Sequence, residues 1–212
     1  MAELLLFVDA FWISPYAMSA WVALTEKRVR FEVREVALHR KEQQAPGFPS
    51  PTGRIPALRH GELWLAESSA IAEYVDELFP APAHPRLLPA DRRERAVCRE
   101  LMAWLRSDLG PLREERPTTT LWYERASKPL SESARAAAAR LVRAVEPLVL
   151  EGRANLFDEW CLADTDLALM LQRLQVNGDP LPPKLAAYAR SQWLRPSVAA
   201  WTAHARVPYV AY

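Results

Sequence analysis

Three short stretches of the chain carry side chains whose type and spacing could do chemistry. Ser14 stands directly before Pro15, the pairing expected of an N-cap followed by proline at the first helical position. Its hydroxyl is either a plain cap or a donor to an anion that the free backbone N–H groups and helix dipole already favour. Ile55-Pro56 heads a short apolar run. It is either an ordinary edge proline or a cis peptide that leaves the Ile55 N–H and C=O free to pair with an extended ligand. Glu67-Ser68 precedes a helical pattern. The pair either caps that helix or receives an α-amino-carboxylate, Glu67 meeting the ammonium and Ser68 the carboxylate.

Other chemistries are poorly supplied. His39, His60, His84 and His204 are scattered without HExxH or paired spacing, so no catalytic metal is expected. There is no GxSxG, GxGxxG or GxxxxGK[ST] motif, and 18 Pro against 6 Gly argues against folds that cradle phosphate on glycine. Cys98 and Cys161 form no CxxC pair. They fall in helical segments, where buried thiols are expected. With 27 basic and 26 acidic residues the net charge is +1, which favours neither nucleic acid nor an anionic membrane. The start Met1-Ala2-Glu3 lacks a basic signal region and no apolar run reaches membrane length, so a soluble cytoplasmic protein is expected.

The elements that must position these residues follow from periodicity. Leu4–Val8 reads as a strand, Ser14 to about Lys27 as a helix, and the alternation of Val29, Phe31 and Val33 as a second strand. The polar stretch from His39 to Gly53, broken by Pro46, Pro49 and Pro51, reads as loop. Ile55–Leu58 and Leu63–Leu65 form a hairpin about His60-Gly61, and a helix capped by Ser68 or Ser69 runs to about Phe79. This α/β domain occupies residues 1–80, a proline-rich linker 81–90, and an all-helical domain 91–212. Helices are expected from Val97 until Gly110-Pro111, over Ser131–Leu150, Leu162–Val176, Lys184–Gln192 and Pro196–His204.

This order of strand, Ser14-Pro15-Tyr16, Ile55-Pro56, Glu67-Ser68-Ser69-Ala70-Ile71, proline linker and helical bundle resembles the glutathione S-transferase family. Glu67–Tyr74, Trp104–Leu109 with Arg113–Thr118, and Asn155–Phe157 with Glu159–Cys161 and Ala163–Leu167 look most like its bacterial YfcF-type branch. The resemblance implies a thioredoxin-like domain that holds glutathione, a helical domain that supplies most of an electrophile pocket, and a homodimer. It implies a cis bond before Pro56, Ile55 holding the cysteinyl part of glutathione, and Glu67 and Ser68 holding the γ-glutamyl end. Lys41 and Arg54 are candidates for the glycyl carboxylate. Phe11, Trp12, Tyr16, Trp104, Leu109 and Trp122 are candidates for the pocket wall. Glutathione enters as co-substrate, with no other cofactor and no metal.

The expected activity is attack of a glutathione thiolate, stabilised by Ser14, on a small electrophile, with glutathione-dependent peroxide reduction as a side activity. Serine at this position cannot form the mixed disulfide that cysteine would. A non-enzymatic glutathione- or partner-binding module on the same fold is the alternative. A ring-opening isomerase would need a serine-rich first helix, which Ser14-Pro15-Tyr16-Ala17 does not supply. The family's usual Ser or Thr cap three residues before an Asp is here Cys161, ahead of Asp164. A thiol accepts hydrogen bonds poorly, which puts half of that cap in question.

Overall fold

The apolar run at the start of the chain becomes strand β1 (Leu4–Asp9), whose residues alternate between the two faces of a sheet. The computed structural model describes residues 3–48, 50 and 52–212. Met1 and Ala2 of the acidic start, and Pro49 and Pro51 of the proline-broken loop, lie outside the described residues.

Two units separate by their contacts. One runs to Leu87 and takes in Ala199–Tyr212; the other spans Leu88–Val198. The sequence boundaries assigned everything after residue 90 to the helical part. By contacts, Ala199–Tyr212 group with the first unit.

In the first unit the sheet order is β2-β1-β3-β4, with β2 (Glu32–Val36), β3 (Ala57–His60) and β4 (Leu63–Ala66). β1 runs parallel to β2 and antiparallel to β3, and β3 and β4 form the hairpin. Leu4, Leu6 and Val8 point to the face covered by helices α1 (Pro15–Glu26) and α2 (Ser68–Leu78), which also pack on each other. On the opposite face Phe7, Val36 and Ala57 make a small core with Leu38, Phe48, Ile55 and Trp64. The expected strand at Val29–Val33 lies three residues too early. Arg28 takes a left-handed turn after α1 (φ 55°), and the strand runs from Glu32, pairing Leu5 with Glu32 and Asp9 with Val36. As an edge strand it buries Val36 alone, so its sequence carries little of the alternation that marks a covered strand.

In the second unit α3 (Arg92–Ser107) stops before Asp108 and Leu109, whose φ of 61° breaks the path, so the expected bend at Gly110-Pro111 is the start of a new helix, α4 (Gly110–Glu115). α5 (Thr119–Trp122), α6 (Glu132–Val145), α7 (Leu162–Gln175) and α8 (Pro183–Trp193) follow, and α9 (Pro196–Thr202) leads back to the first unit. α6 ends at Val145, ahead of Pro147, rather than at Leu150. α7 is buried on nearly every side, as its apolar sequence dictates, and packs against α3, α5 and α8. Its start is fixed by Asp164, whose carboxylate accepts from the amides of Cys161 (2.9 Å) and Leu156 (2.8 Å) and from the Tyr188 hydroxyl (2.7 Å). Asp164 thus supplies its half of the cap whatever the Cys161 sulfur does. The Cys98 and Cys161 sulfurs lie 3.7 Å apart and both residues are fully buried. The contact with Cys98, then burial and the nearby Asp164 charge, push the Cys161 thiol up, so it is held protonated and unreactive.

Candidate functional site

Ser14 is the N-cap of α1, in extended conformation, with Pro15 at the first helical position. The Ala17 amide donates to Ser14 Oγ at 3.2 Å. The Ser14 hydroxyl proton has no acceptor among the described residues. The oxygen is therefore held from one side while the O–H remains available to a ligand atom.

The Ile55–Pro56 peptide is cis. Pro56 is buried and Ile55 half-buried against the Phe7 and Trp64 rings' core, and the Ile55 backbone makes no hydrogen bond to the described residues. Pairing of β1 with β3 stops at Phe7 and Ala57, which leaves the segment just before Ala57 open to another extended chain.

Glu67 occupies the N-cap position of α2 with φ 70° and ψ 117°, and its side chain makes no capping bond. Ser68 is the first helical residue and is 2% exposed, so the expected Ser cap is displaced by one residue. A non-glycine residue held at positive φ stores strain that the surrounding structure must sustain. Here the exposed Glu67 carboxylate stands beside the N-terminus of α2, a combination that suits an ammonium and a carboxylate carried by one molecule.

Lys41 is exposed at φ 57°, between two single-turn 3₁₀ segments (Leu38–Arg40 and Glu42–Gln44), and Arg54 is exposed immediately before Ile55.

The six candidate wall residues divide between the units. Phe11 is 1% exposed, packed by His39, Tyr209 and Tyr212. Trp12 stacks on His204 (centroids 3.6 Å apart, 13° between planes), touches Trp201, and donates its indole N–H to Glu35 at 2.7 Å. Both are thus packed beneath the C-terminal tail, and Tyr16, half-buried on the first turn of α1, lies closer in sequence to Ser14. In the second unit Trp104 donates to Asp108 (3.0 Å), Leu109 is fully buried, and Trp122 stacks on Trp193.

Sequence reasoning missed two residues that shape this site. Asp9 closes β1, fully buried, and its carboxylate accepts from the amides of Ile13 (2.9 Å) and Ser14 (3.0 Å). Arg206, from the tail, donates to the Trp12 carbonyl through Nε (3.3 Å) and Nη2 (3.1 Å). Asp9 had a signal, a lone acid ending an apolar strand just before the Ser14 loop; Arg206 had none. Burial pushes the Asp9 carboxyl up, against the pull of the Ile13 and Ser14 amides and the Arg206 charge. Among the described residues no group of three or more His, Cys, Asp or Glu could hold a metal ion, and no helix is long and apolar enough to cross a membrane.

A thioredoxin-like sheet with a hydroxyl at one helix start, a cis proline heading a strand and a carboxylate at a second helix start, continued by a helical unit, defines the class of protein. The sequence matches the N-terminal domain of glutathione S-transferases over residues 10–83 and the C-terminal domain over residues 91–206. The chain belongs to the glutathione S-transferase family. A glutathione transferase homologue from Burkholderia gl BGR1, solved with bound glutathione, is 46% identical, with a TM-score of 0.80 over 94% of this chain and 96% of that one. A probable maleylacetoacetate isomerase from Vibrio cholerae is 37% identical over 116 residues, 53% of this chain and 52% of that protein. Glutathione S-transferase Z1 of Arabidopsis thaliana is 29% identical over 189 residues, 84% of this chain and 83% of that one. The match to the isomerase therefore spans about half of that relative's length.

Proposed function

We propose that this chain is a glutathione transferase that activates the glutathione thiol at Ser14 for attack on a small electrophile. The observation that carries this reading is the Ser14 hydroxyl, held at its oxygen by the Ala17 amide with its proton free to donate. The 46% identical relative with glutathione bound supports the choice of ligand.

In this reading the cysteinyl backbone pairs with Ile55, the γ-glutamyl ammonium meets Glu67, its carboxylate meets Ser68 and the first amides of α2, and Lys41 and Arg54 face the glycyl carboxylate. The sulfur then falls at the start of α1. A free thiol titrates near pH 8.5 and reacts as its anion, so each unit of depression amounts to about 1.4 kcal/mol of preference for the thiolate. Donation from Ser14 and the positive end of α1 supply that preference. The electrophile binds beside the sulfur, near Tyr16 on the first turn of α1, the protein works as a cytoplasmic homodimer, and it sits in the YfcF-type branch that Glu67–Tyr74 and Trp104–Leu109 resemble.

A second reading, glutathione-dependent cis–trans isomerisation, is favoured by the likeness to the Vibrio cholerae isomerase. Against it, the first turn of α1 offers Ser14, Pro15, Tyr16 and Ala17, with no second hydroxyl beside Ser14 other than the Tyr16 phenol. The deciding experiment follows glutathione consumption with a chloro-nitro-aromatic electrophile and, separately, isomerisation of maleylacetoacetate. Conjugation without isomerisation is expected. Isomerisation alone assigns the second reading, and tight glutathione binding with neither turnover makes the chain a binding module.

A further inference from the structure

A buried carboxylate is costly to keep unless its charge is answered by well-placed donors. Asp9 is fully buried and forms no salt bridge with the described residues. Its two oxygens are instead committed to one loop. Oδ2 takes the Ile13 amide and Oδ1 the Ser14 amide, while the Asp9 carbonyl takes the Trp12 amide at 3.0 Å. Three more polar groups of the loop are bonded: the Ala10 amide donates to Val36, the Trp12 indole to Glu35, and the Trp12 carbonyl receives Arg206. Trp12 itself is held at φ 54°, a conformation that a tryptophan adopts only when its surroundings impose it.

Arg206 binds more than this loop. Its guanidinium also donates to the carbonyls of Trp201, Thr202 and His204, so one planar fork joins the end of α9 to the carbonyl two residues before Ser14. Among the described residues the titratable groups that act on Asp9 are Arg206, which is charged, and the protonated Tyr212 phenol, both from the tail. Asp9 and Arg206 both bond to the backbone of the segment that presents Ser14, and neither bonds to the Ser14 hydroxyl.

We propose that Asp9 is a positioning residue for Ser14, gripping its amide from within, and that Arg206 completes the grip from the tail, so that the two together set where the Ser14 hydroxyl points. This rests on the reading of Ser14 as the group that stabilises a glutathione thiolate. It goes beyond that reading by assigning the alignment of the hydroxyl to two residues about 200 positions apart in sequence.

Positioning and charge make opposite predictions. A carboxylate beneath the site opposes a nearby thiolate, so if Asp9 acted through its charge, removing it would lower the pKa of the bound thiol. If Asp9 acts by aligning Ser14, removing it raises that pKa. The test is ultraviolet titration of glutathione bound to the full-length wild type, Asp9→Asn and Arg206→Lys, with the Kd of thiol-blocked S-methylglutathione measured alongside. Asp9→Asn keeps one acceptor and loses the other; Arg206→Lys keeps the charge and loses the planar fork. The expected result is that the bound-thiol pKa rises by about one unit, a tenfold loss of thiolate preference, in Asp9→Asn and by a smaller amount in Arg206→Lys. S-methylglutathione binding stays within about twofold, because its contacts do not run through the sulfur. An unchanged or lowered pKa in folded Asp9→Asn overturns the proposal. Should Asp9→Asn fail to fold, an unchanged pKa in Arg206→Lys overturns it. A wild type that leaves the glutathione thiol at its solution pKa overturns the Ser14 reading itself, which is a different failure.

Discussion

Ser14 Oγ accepts the Ala17 amide at 3.2 Å, so the same atom that caps α1 carries the free hydroxyl proton of the site. Capping and catalysis therefore go together in any substitution of Ser14 but are read out separately, one as stability and the other as the pKa of the bound thiol. Ser14→Ala loses both, with about 1 kcal/mol from the cap and a rise of one unit or more in the apparent pKa of bound glutathione. Ser14→Thr keeps both groups. Absorbance titration of the two variants checks this: equal pKa values in Ser14→Ala and wild type would leave Ser14 as a cap alone.

Glu67 sets stability against binding. At φ 70° it occupies backbone space that glycine enters without penalty, so Glu67→Gly is expected to stabilise the fold by up to about 1 kcal/mol. The same change removes the only carboxylate at the start of α2 among the described residues of that turn, and should weaken glutathione binding tenfold or more. Thermal melting and isothermal titration of this one variant should therefore move in opposite directions.

Much of this was legible because it was local. Ser14-Pro15 announces a helix start, the two apolar triplets around His60-Gly61 announce a hairpin, and the unbroken apolar content of Leu162–Val176 announces a central helix. What escaped depends on contacts far apart in sequence or on backbone geometry that composition does not encode. β2 is an edge strand whose outward residues are charged, so its register comes from pairing with β1 and not from its own pattern. Glu67, with Ser68 beginning the helix, displaces the expected cap through a left-handed φ that no propensity assigns to glutamate. Phe11 and Trp12 stood out because they are aromatic and near Ser14, but their packing against Trp201, His204, Tyr209 and Tyr212 is a contact across nearly the whole chain that the helical pattern could not show.

Lys27, at the end of α1, is fully buried, 2.5 Å from Asp76 and 2.8 Å from the Phe79 carbonyl at the end of α2. Truncating Lys27 empties a buried site and removes the partner of Asp76, which keeps the Leu87 amide and some solvent. Lys27→Ala should cost about 3 kcal/mol or more, whereas Arg28→Ala, one residue further on and exposed, should cost little beyond its turn conformation. Urea unfolding of the two variants checks the contrast.

Tyr212 is pushed up to about 12 from an ordinary 10.0 by burial, then by the charges of Asp9 and Tyr209. Between those two values the tail packed on Phe11 holds a proton that a released tail gives up, so the packed state loses stability as pH rises through that window. Titration at 295 nm should show a late phenol that disappears in Tyr212→Phe, while Tyr188, pushed well up by burial and Asp164, stays in both proteins. Release of the tail above pH 10 should follow the same curve in the fluorescence of Trp12 and Trp201.

The most direct test of the central claim is a crystal structure with glutathione bound. The account predicts the sulfur within about 3.5 Å of Ser14 Oγ, the cysteinyl backbone paired with Ile55, and the γ-glutamyl group at Glu67 and Ser68. Glutathione bound with its sulfur beyond hydrogen-bond reach of Ser14, or turned toward another side chain, would contradict it.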